Sequence, residues 1–269
     1  EEKEFQMIKK TLLILKKKIL TIRTLDIGND KNAEQIDKLV GPSQNPALGL
    51  RAIRLTLAFP EIFKKQISAI LRANYFGKIR IMLPMVSHLY ELKAAKKIIK
   101  DVHKGLINKK MKVKKNLPPI GVLIETPAAA LISNILAKHC DFFATGTNDL
   151  VMYTLAIDRG DDNVAYIYDP SHLSVLRLIK MSKESADKNN IPISVCGEMA
   201  GDSVFSSFLI GLGIDTLSMS TSRILKSKQF IQNVNYADAT KLCENIFKDS
   251  NYGKTKKILK EFSEKINNL

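Results

Sequence analysis

The sequence predicts an α/β fold, a (β/α)8 TIM barrel that lacks its first strand and has seven strands present. Three observations predict this fold class. Short apolar runs alternate with helix-like segments along the chain. The runs are almost continuously apolar, as expected for parallel strands that are buried on both faces. Most runs end in a polar motif, and functional groups of such barrels gather at the carboxyl ends of the strands.

Seven segments are predicted to be strands because each is short, apolar and bounded by turn or polar residues. No glycine fingerprint of the dinucleotide-binding type follows the first of them. The segments are ILTIRTLDIG at 19–28, RAIRLTL at 51–57, KIRIMLPM at 78–85, IGVLIE at 120–125, DFFATG at 141–146, PISVCGE at 192–198 and DTLSMS at 215–220.

Helices are predicted where apolar side chains recur at a spacing of three or four residues. This spacing runs from Phe5 to Leu15 and predicts a helix over 2–17. Residues 27–49 are polar and contain Gly and Pro, so they are predicted to form a long loop. The other predicted helices cover 60–75, 91–105, 127–138, 172–189, 202–211, 221–232 and 236–267.

The composition favours one large globular domain over residues 1–269. The chain has 269 residues, of which 45% are hydrophobic. It has no apolar run long enough to span a membrane, and its charged N-terminus is unlike a signal peptide. The three cysteines are odd in number and match no zinc-binding spacing, so we interpret them as reduced thiols of a cytoplasmic protein.

The net charge of +15 raises the question of a nucleic-acid partner. We predict none, because 34 of the 42 basic residues are scattered lysines and no aromatic residues alternate with them to stack on bases. The eight arginines are more informative, since a guanidinium offers a planar, two-pronged donor. Arg23, Arg51 and Arg159 stand beside Gly- or Asp-containing motifs and are candidates to bind one oxyanion.

Two carboxylates follow neighbouring predicted strands. Glu125 ends IGVLIE, and Asp149 follows DFFATG in the motif GTND. Such a pair either shares a proton or binds a hard cation, and few protein ligands with substrate oxygens suit Mg²⁺. The alternative for Asp149 is a helix cap, because Asp favours that position. The two residues together favour the metal.

Cys196 ends the segment PISVCGE. A thiol with an ordinary pKa of about 8.5 is protonated at neutral pH and can give a proton to a carbanion or an enolate. The alternative is a small buried residue with no chemical role.

Seven motifs, read together, resemble the phosphoenolpyruvate-binding barrel of enzyme I, the phosphoenolpyruvate–protein phosphotransferase family of the bacterial sugar phosphotransferase system. Pyruvate phosphate dikinase and phosphoenolpyruvate synthase share this barrel, but TLAIDRGDDNVAYIYDPSHLSVLRLI is more similar to enzyme I. The motifs are RTLDIGNDK, NPALGLRAIR, FGKIRIMLPM, GVLIETPAAA, DFFATGTNDLVMYTLAIDRG, SVCGEMAGD and DTLSMS.

The resemblance implies a role for each candidate residue. Glu125 and Asp149 would ligate Mg²⁺, and Cys196 would protonate C3 of the enolate of pyruvate. The residues implied to bind phosphoenolpyruvate are Arg23, Arg51, Asn148, Asp149 and Arg159. The implied activity is Mg²⁺-dependent transfer of the phosphoryl group to a histidine on a separate domain, with release of pyruvate.

The resemblance also implies partners. Enzyme I carries a phosphohistidine domain and a domain that docks the carrier protein HPr, and neither is visible in this chain. The family's first barrel strand would precede Glu1. We therefore expect a fragment, a degraded gene product or one half of a split enzyme, which forms a homodimer and depends on a phosphohistidine domain in cis or in trans. Two alternatives stay open: a Mg²⁺-dependent lyase or aldolase acting on pyruvate enolates, and a non-catalytic dimerisation remnant.

Overall fold

A computed structural model describes residues 1–27, 41, 45–158, 160–251 and 253–267. The chain divides into two compact units. The first unit comprises Glu1–Leu123 and His139–Phe142, and the second comprises Ile124–Lys138 and Phe143–Leu269. In both units the strands are parallel and sequence order is spatial order. No helix of the described ranges is long and apolar enough to cross a lipid bilayer.

The first unit has a parallel sheet covered by helices. Residue Ile19 of β1 lies opposite Lys78 of β2, and Arg23 lies opposite Met82. Its strands are β1 (Ile19–Arg23), β2 (Lys78–Leu83) and β3 (Ile120–Ile124), and its helices are α1 (Glu2–Leu15), α2 (Ala52–Ala58), α3 (Pro60–Ala73) and α4 (Leu89–Asn108).

The apolar pattern explains how these elements pack. Phe5, Ile8 and Leu12 form the buried stripe of α1, which packs against α3. A Cβ added to Gly77, just before β2, would approach a methyl of Leu12 to 2.8 Å, so the glycine lets the strand start close to this helix. In β2 every second side chain is buried, as expected for a strand with one face against helices.

The second unit repeats the alternation of strand and helix. In register, Gly146 lies opposite Cys196, which lies opposite Ser218, so the carboxyl ends of its three strands are level. Its strands are β4 (Phe143–Gly146), β5 (Ile193–Cys196) and β6 (Thr216–Ser218). Its helices are α5 (Pro127–Leu131), α6 (Ser133–Leu136), α7 (Thr147–Leu155), α8 (Leu173–Lys188), α9 (Ser203–Gly211), α10 (Thr221–Gln232), α11 (Tyr236–Ile246) and α12 (Thr255–Asn267).

The prediction of seven strands is wrong, because the described residues form six. RAIRLTL at 51–57 is not a strand; it provides most of helix α2. The buried residues of that helix are Ala52, Ile53, Leu55 and Thr56, which is helical spacing in a run too short to distinguish from strand alternation. The α/β class with parallel strands is confirmed, and closure into a barrel stays a prediction.

Two predicted helices are interrupted. The helix predicted over 236–267 is split into α11 and α12, and Gly253 in the break has a left-handed φ of 77°. The helix over 127–138 is split into α5 and α6 at Ile132. Most of the loop predicted over 27–49 lies outside the described residues.

Candidate functional site

Two of the candidate arginines meet on one carboxylate in the first unit. Arg23 Nη1 lies 2.9 Å from Asp26 Oδ2, and Arg51 Nη2 lies 2.8 Å from Asp26 Oδ1. The side chains of Asp26 and Arg51 are 2% and 3% exposed, while that of Arg23 is 45% exposed. One arginine is therefore fixed inside the unit and the other reaches solvent from the same carboxylate.

Local backbone geometry places these three side chains. Arg23 is the last residue of β1, and Arg51 is the N-cap of α2. Ala52, the first residue of α2, is fully buried and has a φ of 51°, a conformation that an alanine adopts only under strain. Gln66 of α3 accepts the Leu25 N–H at 2.9 Å and so anchors the segment that carries Asp26.

The triad of Arg23, Asp26 and Arg51 is suited to binding an oxyanion. Two guanidinium cations and one carboxylate leave a net positive charge. Arg23 has five N–H donors, and its contact with Asp26 uses only part of them. Guanidinium donors of this kind match the oxygens of a phosphate or a carboxylate.

In the second unit the ends of β4 and β5 are joined by side chains of the predicted motifs. Thr147 Oγ1 donates to the Cys196 carbonyl at 2.9 Å, and Asn148 Oδ1 accepts the Glu198 N–H at 3.0 Å. The Cys196 thiol donates to the Thr145 carbonyl at 3.3 Å. These three hydrogen bonds hold Asn148 and Cys196 on neighbouring strand ends.

Gly197 allows the two strand ends to approach. It has a φ of 95°, and a Cβ at this position would lie 2.5 Å from Thr147 Oγ1 and 2.9 Å from Asn148 Oδ1. A side chain would therefore strain the backbone and displace both partners. The glycine of the VCGE motif is required by the position of Asn148.

The residues predicted to hold Mg²⁺ both belong to the second unit. Glu125 follows the last residue of β3 and is 2% exposed; Asp149 lies in the first turn of α7 and is partly exposed. Carboxylate oxygens at strand ends are the ligands that Mg²⁺ prefers, so these two residues fit the ion. No cluster of three or more His, Cys, Asp or Glu side chains suited to a metal occurs in the described part of the chain. A two-carboxylate site is compatible with that finding, because Mg²⁺ takes its other ligands from water and substrate.

The structure thus brings together some of the predicted residues. Arg23 and Arg51 share Asp26, and Asn148 and Cys196 are joined through neighbouring groups. Arg159 lies outside the described residues. The gathering of all the candidates around one ligand stays a prediction.

Sequence reasoning missed three residues of the site. Asp26 stands three positions after Arg23 in RTLD, a spacing that could have been read as an ion pair at a strand end. Thr147 and Gly197 sit inside the motifs GTND and VCGE, but their roles depend on residues about 50 positions away.

The other two cysteines differ from Cys196 in their surroundings. Burial raises the pKa of Cys140 to about 12 and that of Cys243 to about 12, so both stay protonated near neutral pH. Cys196 is partly exposed, and all three cysteines are free thiols. The interpretation of Cys140 and Cys243 as inert reduced thiols agrees with their burial.

Comparison with known proteins places the chain among proteins that use phosphoenolpyruvate. The family model described as "PEP-utilising enzyme, PEP-binding domain" matches residues 1–236. A phosphoenolpyruvate-protein phosphotransferase of Staphylococcus carnosus is 41% identical over 244 residues, which cover 91% of this chain and 42% of the relative. One from Listeria monocytogenes is 38% identical over 263 residues, covering 98% of this chain and 46% of the relative. The chain spans less than half the length of these curated relatives.

Similarity to solved structures is weak. A citrate lyase from Burkholderia xenovorans superposes with a TM-score of 0.44 and 14% identity, covering 63% of this chain and 56% of that chain.

Proposed function

Because the chain belongs to the family of PEP-utilising enzymes, as a PEP-binding domain, we propose that it is the substrate-binding part of a phosphoenolpyruvate–protein phosphotransferase. It would bind phosphoenolpyruvate, support transfer of the phosphoryl group to a histidine and release pyruvate. The observation that carries the proposal is the Arg23–Asp26–Arg51 triad, in which two guanidinium groups contact one buried carboxylate just beyond β1.

The arginines would bind the phosphate. Arg51 is fixed by burial and Arg23 is free to adjust, so together they can follow the phosphoryl group as it leaves. Arg159 would add a third guanidinium. Fixed cations of this kind stabilise charge that builds up on a transferring phosphoryl group. Asn148 would donate its amide N–H groups to the substrate, since its Oδ1 already accepts the Glu198 N–H.

Glu125 and Asp149 would hold Mg²⁺ in the second unit. When bound there, the ion supplies positive charge that polarises substrate oxygens. Asp149 would also line the substrate. The protein's own contribution would be the two carboxylates, one after β3 and one in the first turn of α7, and the substrate would supply further ligands.

Cys196 would complete the chemistry. The P–O bond of phosphoenolpyruvate breaks, an N–P bond forms on the acceptor histidine, and the enolate of pyruvate remains. The Cys196 thiol then gives its proton to C3 of the enolate, and the thiolate regains a proton from solvent. The Cys196 sulfur lies 3.3 Å from the Thr145 carbonyl, a contact that suits the protonated thiol that an acid requires.

The partners and the location follow from the same proposal. The acceptor histidine would lie on a phosphohistidine domain in cis or in trans, which passes the phosphoryl group to HPr and so to sugar transport. The protein would act as a homodimer in the cytoplasm, in keeping with its three free thiols. Without the histidine domain this chain would bind phosphoenolpyruvate and Mg²⁺ and would not phosphorylate itself.

The alternatives are less well supported. A lyase or aldolase acting on pyruvate enolates would use the two carboxylates but would not need an arginine pair fixed by a buried carboxylate. A dimerisation remnant would not need the hydrogen bonds that hold Asn148 and Cys196 in place. Relatives of about 40% identity named phosphoenolpyruvate-protein phosphotransferase favour the first proposal over both.

The test is a calorimetric titration of the chain with phosphoenolpyruvate and, separately, with pyruvate, both with Mg²⁺ present. The matched variants are Arg23→Gln and Arg177→Gln, the latter at an exposed position of α8. We expect Arg23→Gln to weaken phosphoenolpyruvate binding by about tenfold or more, the value of one to two charged hydrogen bonds. Pyruvate affinity and the Arg177→Gln variant should be unchanged.

Two results would contradict the proposal. One is an unmodified chain that does not bind phosphoenolpyruvate. The other is an equal loss of affinity in both arginine variants, which would indicate a general effect of charge. Incubation with labelled phosphoenolpyruvate gives an independent check, since a stable phosphohistidine on this chain alone would show that no separate histidine domain is needed.

A further inference from the structure

A second cluster of cations lies at the opposite end of the first unit's sheet. A cavity of about 240 Å³ is lined by the first residues of β1 and β2, Ile19 and Lys78, and by the segment 116–119 that leads into β3. Arg23 stands four residues further along β1, about 13 Å away at about 3.3 Å per residue. The cavity is therefore separate from the Arg23–Asp26–Arg51 triad.

The lining of this cavity is basic. Lys78, Arg80 and Lys114 contribute to it, and none of its ten lining residues is acidic. In the described ranges none of the three cations forms an ion pair with a carboxylate. Asp141, which contacts the start of β3, uses Oδ2 to accept the Ile120 N–H at 2.7 Å. Among the described residues that line it, the cavity thus carries positive charge and no acidic side chain.

Two of these cations are held in place by uncharged groups. The Lys114 ammonium donates to the Gly77 carbonyl and lies 3.5 Å from Asn74 Oδ1. Asn74 is 4% exposed, and the same oxygen accepts the Ile79 N–H at 3.3 Å. Neutral oxygens orient the ammonium and leave its charge uncompensated, and one of its three N–H donors stays available.

Arg80 is positioned by an aromatic ring. Its guanidinium carbon lies 5.4 Å from the centre of the Phe142 ring, within the range of a cation–π contact. Lys78 and Arg80 are two residues apart on β2, so their side chains leave the same face of the strand. The positive charges of Lys78 and Arg80 therefore lie on the same side of the cavity.

Another part of the wall is apolar and includes Leu117, Pro118 and Pro119. A guanidinium and ammonium groups beside such a wall match a phosphate joined to a small apolar body. We propose that this cavity is a second anion site, which binds a small phosphate monoester. Its volume lies below that of pockets for drug-sized ligands, which limits the ligand to a compact molecule.

The probe is phenyl phosphate, titrated into the ¹⁵N-labelled chain and followed by site-resolved amide shifts. Amides of Ile79, Arg80 and Asn116 report this cavity, whereas those of Arg23 and Asp26 report the triad. We expect saturable chemical-shift changes at the cavity amides, whether or not the amides of the triad also shift. Phenol, which lacks the charge, should give none, and inorganic phosphate should bind the same amides more weakly.

The decisive variant places a carboxylate in the cavity without touching the cations. Asn116 is exposed and lines the cavity, so Asn116→Asp changes charge with almost no change in shape. Asn108→Asp makes the same change at an exposed residue of α4 outside the lining. Phenyl phosphate affinity at the cavity amides should fall about tenfold in the first variant and stay constant in the second.

The proposal is wrong if the cavity amides do not shift, if phenol shifts them as strongly as phenyl phosphate, or if both Asn variants lose affinity equally. The double variant Arg80→Gln with Lys114→Gln should abolish binding. Because Asn116→Asp leaves Lys114 and its bond to Gly77 intact, the test does not depend on the double variant folding.

Discussion

Asp26 holds two cations at once, so the arginine pair depends on it. Replacing it by Asn keeps the shape and removes the charge between Arg23 and Arg51. We expect Asp26→Asn to lower the free energy of unfolding by about 3 kcal/mol, because the buried Arg51 would lose the charge of a buried carboxylate that contacts it. Urea unfolding followed by circular dichroism measures the change.

The matched control is Asp187→Asn, whose carboxylate is 59% exposed and pairs with Lys183 one helical turn away. Exposed pairs of this kind contribute less than about 1 kcal/mol. Similar losses in both variants would contradict the argument that burial makes Asp26 important.

The two buried thiols should make the stability of the folded chain depend on pH in the alkaline range. Burial raises the pKa of Cys140 and Cys243 from 9.0 to about 12, so both stay protonated in the folded chain. Unfolded thiols ionise above pH 9, where the unfolded state binds fewer protons than the folded state. The free energy of unfolding should therefore fall by about 1.4 kcal/mol per pH unit for each thiol between pH 9 and 12.

Lysines also titrate in this range, so the informative quantity is a difference between two chains. The free energy of unfolding, measured with urea between pH 8 and 11, should fall more steeply with pH for the natural chain than for the double variant Cys140→Ala, Cys243→Ala. Parallel curves would show that these thiols do not resist ionisation in the fold.

The positions of single candidate residues at strand ends were predictable. Glu125 and Cys196 lie at or directly after the end of an observed strand, and Asn148 follows β4 by two residues; their roles stay a prediction. Asp26 and Gly197 were not predicted as site residues, because what each does is set by a partner remote in sequence. Nothing in the composition of a short motif reveals such a partner.

At the scale of elements, the turn after β5 decides where Asn148 lies. Gly197→Ala should lower the free energy of unfolding by about 1–3 kcal/mol, because φ is 95° and the new methyl would meet Thr147 Oγ1. Phosphoenolpyruvate binding should weaken as well. Thermal unfolding and calorimetry measure the two effects.

Gly105 provides the matched control for this substitution. It lies within α4, and nothing stands within 4 Å of an added Cβ. Gly105→Ala should raise the free energy of unfolding by about 0.5–1 kcal/mol, because alanine favours a helix. A loss of stability at Gly105, or none at Gly197, would contradict these assignments.

Long elements were easier to predict than short ones. The helix predicted over 172–189 is observed as Leu173–Lys188, because its apolar stripe extends over four turns. Helix α2 has seven residues, and in so short a run a helical stripe and an alternating strand place apolar residues at nearly the same positions. Its first residue also has a left-handed φ, which no propensity for alanine predicts.

At the scale of the whole molecule, the charge of +15 is carried mainly by dispersed lysines. We expect the chain to bind a labelled DNA duplex weakly and without saturation. This binding should disappear as the salt concentration rises from about 50 to about 200 mM, because sequence-independent contacts to phosphates are screened by salt. Fluorescence anisotropy measures it. Saturable binding at about 150 mM salt would contradict the prediction that the chain has no nucleic-acid partner.

The parallel α/β class was predictable for the described residues, because each observed strand lies within a segment predicted as a strand and is flanked by helical spacing. The division into two compact units was not, since it depends on packing and not on a linker. The arginine triad belongs to the first unit, and the Asn148–Cys196 group belongs to the second. Periodicity along a sequence carries no information about such a division.

The hydrogen bond from Glu198 to Asn148 has one more consequence. Hydrolysis of the Asn148 side-chain amide would leave an oxygen to accept that bond, so the strand ends would stay joined and the melting temperature would be preserved. Under the proposed function, the new negative charge would repel the anionic substrate. Deamidation of this one side chain would thus weaken substrate binding without a change in the melting temperature.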